Sequence, residues 1–447
     1  MPLRSPRRRA ADRFECEDEG VPSSQRVVVV GAGIIGLCSA EALVRRGAAV
    51  TVSDRGGATR DGASFGNAGL IVPSHVVPLA APGVLGQGLR WMAQRDSPFF
   101  VQPRLDLELV RWGWRFMRSA TPRHVELAGP VLRDLHLASR ALHLEVAARL
   151  PGAPPVEERG VMILCASLAA LRDEEVTAER ARTLGLRAEV LDAAGVCARM
   201  PGLTLDVAGG VHYLDDAHAS PRSLMVALQA YLVGAGVEFR WGRVVTGLER
   251  SAGRVSGVRL EGEVVTASTV VIAAGVASSA LGSDVGARLP MQPGRGYSVT
   301  AVDPPERPAM PALLAEARVA VTPLAEGVRL GGTMEITHVD RPVDHVRVRG
   351  ITRSVERYLP AFRSDDLATL PVWTGARPVS PDGMPYLGRL ERLDGVVVAT
   401  GHGMMGFSLG PVTGAIVADL VLDGTSQVAG AASPLLRPER FAGRGRA

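Results

Sequence analysis

Three glycines and one acid mark the first place where this chain could do chemistry. Gly31, Gly33 and Gly36 follow the β-branched run Val27–Val30, and Asp54 lies 18 residues beyond Gly36. In that register Gly31 permits a tight turn, Gly33 lets the backbone approach a pyrophosphate, and Gly36 lets a helix pack closely on a strand. A helix opening at Ile34 and Ile35 would present unpaired N–H groups and its positive dipole end to phosphates. Asp54, next to Arg55, stands where an acid accepts ribose hydroxyls. The blander alternatives are a glycine-rich turn in an unrelated α/β protein and a solvated turn acid. The turn alone does not separate FAD from NAD.

Metal chemistry is not indicated. His136 and His143 stand seven apart on an expected helix and are expected to be solvated, with no His-x-x-x-His pair or carboxylate cluster beside them. Cys16, Cys38, Cys165 and Cys197 have neither zinc-ligand nor disulfide spacing, which fits a reducing cytosol.

Several elements must position these groups. Val27–Val30 lacks alternation and reads as a strand buried on both faces of a parallel sheet. A helix is expected over Ile34–Arg46, closed by Gly47, and a strand over Ala49–Ser53 completes a right-handed βαβ unit. Leu107, Val110, Trp114 and Met117 recur at helical spacing, and Leu127–Leu150 reads as an amphipathic helix. Ser220-Pro221 looks like an N-cap with Pro at N1, leading a helix over Arg222–Val233. Residues 243–274 read as a four-stranded meander: Val244–Glu249, Val255–Leu260, Val264–Ala267 and Val270–Ala274. A helix is expected over Ile351–Tyr358. Val396–Val398 reads as a buried strand followed by a helix over Val412–Leu422.

A chain of 447 residues with 46% hydrophobic content is sufficient for two or three domains. The formal charge is only +4, and arginines crowd both ends, so no basic stripe argues for nucleic acid. Residues 1–24 lack the apolar core of a secretory signal and read as a disordered leader. The uncharged run Gly395–Ala418 holds six glycines, a proline and His402, so it reads as strand, turn and helix and not as a transmembrane span.

Further motifs decide the cofactor. Ser64-Phe-Gly-Asn67-Ala68-Gly69, Val271-Ile-Ala-Ala274-Gly275, Trp373-Thr-Gly-Ala-Arg377-Pro and Thr400-Gly401-His402-Gly403-Met404-Met405-Gly406 recur along the chain. With the glycine turn, they make the sequence resemble the D-amino acid oxidase-like superfamily of flavoproteins, and within it the small subunits of bacterial D-amino acid dehydrogenases. The resemblance runs from about Gln25 to the last helix. It implies an α/β fold: a discontinuous Rossmann-like FAD-binding domain over 25–85, 208–283 and 366–432, and an α+β substrate domain on an antiparallel sheet over 86–207 and 284–365. Residues 433–447 would be a flexible tail.

The resemblance also implies roles. Ser64, Asn67, Ala68 and Gly69 would lie against FAD, Val244 would meet the adenine through its backbone, and Ala274 and Gly275 would underlie the nucleotide. Gly401 and Gly403–Gly406 would face the flavin pyrimidine. Arg377 would pair with a substrate carboxylate, a task its planar fork suits. His402 would assist the flavin or position backbone, Tyr297 would reach the amine or close the pocket, and Met334 would line it. Arg318 replaces an aromatic residue of some superfamily oxidases.

The implied reaction is oxidative deamination of a small D-amino acid, with hydride leaving Cα for flavin N5 and electrons passing to an acceptor such as a quinone or the respiratory chain. D-hydroxyproline dehydrogenase, sarcosine or glycine oxidase, an NAD-dependent dehydrogenase and a non-catalytic flavin-binding subunit are the rivals. Trp91, Trp112, Trp114, Phe99 and Phe100, with Arg111, Arg115 and Arg118, read as core packing or as a peripheral contact of a cytoplasmic protein with the membrane face.

Overall fold

The computed structural model describes residues 25–84, 86, 88, 91 and 96–442. The leader expected over 1–24 lies outside the described residues. Arg26–Val30 opens a six-stranded sheet in the order Tyr386–Arg389, Val396–Thr400, Thr269–Ile272, Arg26–Val30, Ala49–Asp54, Glu238–Trp241. Five strands are parallel, and the edge strand Tyr386–Arg389 runs against them. The missing alternation in Val27–Val30 has a direct cause. Val27 and Val29 enter a core with the helices Ile34–Arg45 and Gly410–Leu422, while Val28 and Val30 enter another with Leu248, Val258 and Leu289. The two helices touch closely: a Cβ on Gly414 would stand 2.4 Å from the Cys38 carbonyl oxygen.

A second sheet runs Val372–Val379, Gln292–Ala301, Gly327–Ile336, Val319–Leu324, Ala312–Leu314, Val161–Cys165, Gly209–Tyr213, Ala188–Asp192, with Phe99–Val101 beside Gly327–Ile336. Most pairings are antiparallel. The helix His345–Tyr358 covers one face, where Ile351, Val355 and Tyr358 pack with Tyr297, Val321 and Leu330.

Four expectations need correction. Gly209–Tyr213 and Val372–Val379, assigned to the cofactor segments 208–283 and 366–432, hydrogen-bond into the second sheet. Local pattern marks a strand but carries no label for a partner distant in sequence. The meander has three strands, Val245–Ser251, Arg254–Leu260 and Glu263–Thr266. Thr269–Ile272, buried throughout, joins the parallel sheet instead. The expected tail is packed over 433–442: Leu436 is in the core and Arg440 grips both oxygens of Asp382 at 2.7 and 2.9 Å. Residues 443–447 lie outside the described residues. His136 and His143 are buried, not solvated, on the helix Pro122–Arg149. His136 Nδ1 meets Ser408 Oγ at 2.8 Å, and His143 Nε2 meets the Phe407 carbonyl at 3.1 Å, so both tie this helix to the turn before Gly410.

Candidate active site

The two sheets face each other across a cavity of about 1140 Å³. At one end lies the glycine turn. Gly31 has φ +106°, and a Cβ there would sit 2.5 Å from the Ala273 carbonyl oxygen. A Cβ on Gly36 would strike the Gly31 carbonyl, so this glycine serves helix–strand packing behind the wall. A Cβ on Gly33 would meet only Ser64 Oγ, at 3.4 Å, so its absence enlarges the cavity. Ser64 Oγ accepts from the Ile34 N–H at 3.0 Å, and the Asp54 carboxylate accepts from Ala32 and Gly56 N–H at 2.6 and 2.7 Å. Asp54 is thereby aimed while keeping lone pairs for further donors.

Ile34, Ile35, Arg55, Asn67, Ala68, Val244, Ala274, Gly275, Gly401 and Gly403–Gly406 share the same wall. Gly69 stands behind it, and its N–H donates to Asn67 Oδ1 at 2.8 Å. Gly403 has φ +54° with open space where a Cβ would go. A wall of backbone N–H groups, missing side chains and one oriented carboxylate fits a dinucleotide.

Arg377 occupies the other end. Its strand, Val372–Val379, pairs with Gln292–Ala301 so that Arg377 stands opposite Gly294. The guanidinium folds across Gly296, where a Cβ would lie 2.2 Å from Nη1. Nη1 donates to the Thr333 carbonyl at 2.8 Å, and Nε and Nη2 have no partner among the described residues. Burial pulls the Arg377 pKa down to about 10, which still leaves it charged at neutral pH. Thr333 itself has φ +66°, an uncommon conformation for a β-branched residue, at a register shift in the Gly327–Ile336 ladder. The shift turns its carbonyl out of the ladder toward Arg377.

Met334 lies beside this arginine, on the cavity wall, packed with Trp112, Phe116 and Val379. Tyr297 also lines the cavity. Its ring joins the core under the His345–Tyr358 helix, and its hydroxyl donates to Glu335 Oε2 at 2.7 Å instead of being free to reach an amine. Burial and the Glu335 carboxylate push its pKa up to about 12. His402 is buried on the cavity wall with Nε2 3.0 Å from Thr413 Oγ1 and Nδ1 unpartnered among the described residues. Burial lowers its pKa to about 3, so the ring is neutral.

Sequence reading passed over two further arginines. Arg329 is buried and donates to the Phe65 and Asn67 carbonyls at 3.0 and 2.8 Å, pinning the Ser64–Gly69 loop to the second sheet. Arg60 donates to the Ala32 carbonyl beside the glycine turn and lies over the Trp241 ring at 4.5 Å. Their only sequence signal is the residue type itself, which tells nothing of these long-range acceptors.

Residues 26–420 match the family model described as FAD dependent oxidoreductase, DAO. A D-amino acid dehydrogenase of Cereibacter sphaeroides is 34% identical over 431 residues, covering 94% of this chain and 96% of its own. One from Xanthobacter autotrophicus is 32% identical, covering 89% and 95%. Among solved structures, glycine oxidase from Bacillus cereus superposes with a TM-score of 0.69 at 22% identity, covering 90% of this chain and 96% of its own. L-proline dehydrogenase from P. horikoshii reaches 0.67 at 19%, covering 94% and 98%. With a cavity shaped for a dinucleotide and a match over nearly its whole length, the chain belongs to the DAO family of FAD-dependent oxidoreductases.

Proposed function

We propose that this protein oxidises the carbon–nitrogen bond of a D-amino acid, yielding the imino acid that water converts to a 2-oxo acid and ammonia. One observation carries the reading: a charged, largely enclosed guanidinium faces the cavity with donors to spare. Those donors match a carboxylate bidentately, and Gly296 and the Thr333 carbonyl hold the fork in place. FAD, when bound, supplies the acceptor, flavin N5, for the hydride that leaves substrate Cα. Fixing the carboxylate orients the Cα–H bond, and orientation provides most of the acceleration. Tyr297 commits its hydroxyl to Glu335, and the amine reacts in its neutral form. The D-specific dehydrogenase relatives support the choice of substrate and of an acceptor other than oxygen.

A quinone or another respiratory component suits that acceptor. Among the described residues no helix is long and apolar enough to cross a membrane. The helix Leu107–Ser119 nevertheless exposes Leu107, Val110, Trp114 and Met117 beside Arg111 and Arg118, a face suited to a peripheral contact on the cytoplasmic side. An anaerobic screen of D-, L- and N-methyl amino acids and both hydroxyproline epimers tests the reaction. D-amino acids should bleach the flavin fastest. Bleaching confined to N-methyl compounds or hydroxyproline would reassign the substrate, and no bleaching at all would reject amine oxidation.

A further inference from the structure

Three non-glycine residues among those described have positive φ: Ala252, Arg318 and Thr333. Ala252 sits at a hairpin tip. The other two are neighbours. In the antiparallel pair Val319–Leu324 with Gly327–Ile336, the register runs from Leu324 opposite Gly327 to Ala320 opposite Gly331. Past that pair the strands stay close, since a Cβ on Gly332 would lie 3.0 Å from Val319 Cγ2, and Arg318 and Thr333 are the next residues on each strand. Both leave the ladder in the left-handed conformation, at φ +53° and +66°, and both line the cavity. Backbone strain of this kind persists where the surroundings enforce it, and it gathers at ligand sites. Thr333 holds Arg377 through its carbonyl. The strained residue next to it carries a second guanidinium.

The surroundings of Arg318 narrow its use. It has no carboxylate within ion-pair range among the described residues. Glu174, also on the wall, accepts the Tyr213 hydroxyl at 2.9 Å through one oxygen, and the Arg318 charge draws its pKa down against the larger upward push of burial. His75 faces the same region and is held neutral by burial, with the nearby Arg318 charge acting in the same direction. The cross-strand row two residues along from Arg318 puts small or apolar side chains on the same wall, Leu313, Ala320 and Gly331. A ligand anchored at Arg377 therefore shares its cavity with a second cation, exposed and outside ion-pair range of any carboxylate among the described residues.

We propose that Arg318 is a specificity-determining residue that receives a second anionic group, so that the favoured substrates are amino acids with an acidic side chain. The inference rests on the amine-oxidising reading, with Arg377 taking the α-carboxylate. The test is anaerobic flavin reduction of the holoenzyme by D-glutamate, D-glutamine and D-lysine, in wild type and in Arg318→Asn. Asparagine tolerates the left-handed conformation, so this substitution removes the charge and leaves the turn intact. Arg318→Gly serves as a second variant should asparagine disturb the strand. Wild type should reduce tenfold or more faster, per unit concentration, with D-glutamate than with D-glutamine, and either variant should bring that ratio close to one. A wild-type ratio near or below one overturns the proposal, as does a ratio that survives the substitution. Preference for D-lysine would also overturn it and assign this end of the cavity to Glu174. If none of the three reduces the flavin while other amines or none do so, the substrate reading itself has failed, and the two failures are told apart in one experiment.

Discussion

Arg377 combines a full charge with little freedom. Its guanidinium lies between the face of Gly296 and the Thr333 carbonyl, so its direction is set before any ligand arrives. Arg377→Ala should raise the apparent KM by a factor equivalent to about 2–5 kcal/mol, because a bound carboxylate would lose its enclosed partner. Arg377→Lys should restore little, since a point charge cannot make the fork geometry. Steady-state kinetics beside a flavin absorbance spectrum check both, and unchanged kinetics would remove Arg377 from the site. Gly296→Ala is a subtler probe. Its Cβ would displace the guanidinium without deleting it, and kcat/KM should fall on the order of 10²-fold with FAD still bound.

At the scale of elements, Arg329 joins a strand of the second sheet to the loop Ser64–Gly69 of the cofactor wall. Arg329→Met keeps length and apolar contact but abandons the Phe65 and Asn67 carbonyls. It should weaken FAD retention by about 1–3 kcal/mol, read by flavin fluorescence on dilution. An unchanged FAD affinity would show that the loop is held by other means. What the sequence could reveal at this scale follows from range. The turn Gly31–Gly36 was legible because its chemistry, strand, turn and helix are contiguous. Arg377 was legible through its Gly-x-Arg-Pro setting and the resemblance built on it. The left-handed Thr333 was not, since threonine disfavours that conformation and only the register shift against Gln292–Ala301 enforces it. The sheet joined by Gly209–Tyr213 and the burial of His136 likewise depend on partners far along the chain.

The whole molecule carries a set of neutral histidines, His136, His143 and His402 buried and His75 half-buried. Burial lowers His75 and His143 to about 4 and His136 and His402 to about 3, from an ordinary 6.5. The unfolded chain therefore binds more protons below pH 6.5, and stability falls as pH drops from 6.5 toward 3–4. Asp216 works in the opposite sense. Burial raises it from 3.8 to about 7, so the folded state keeps its proton longer and loses stability as pH rises between those values. Four groups outweigh one, and the melting temperature should decline from pH 7 to pH 5. His136→Asn, which keeps an acceptor for Ser408, should make that decline shallower. An identical slope in the variant would mean that its neutral burial is not part of the cause.

The order of strands in the six-stranded sheet also has a consequence for how the protein is made. Arg26–Val30 lies beside Thr269–Ile272, which lies beside Val396–Thr400, so neighbours in space emerge from the ribosome far apart in time. A nascent chain that already displays the glycine turn has no closing wall until Thr400 and the turn after it have been synthesised. Flavin capture is then a late event of biogenesis, and chains released early would carry an open sheet edge with nothing bound to protect it.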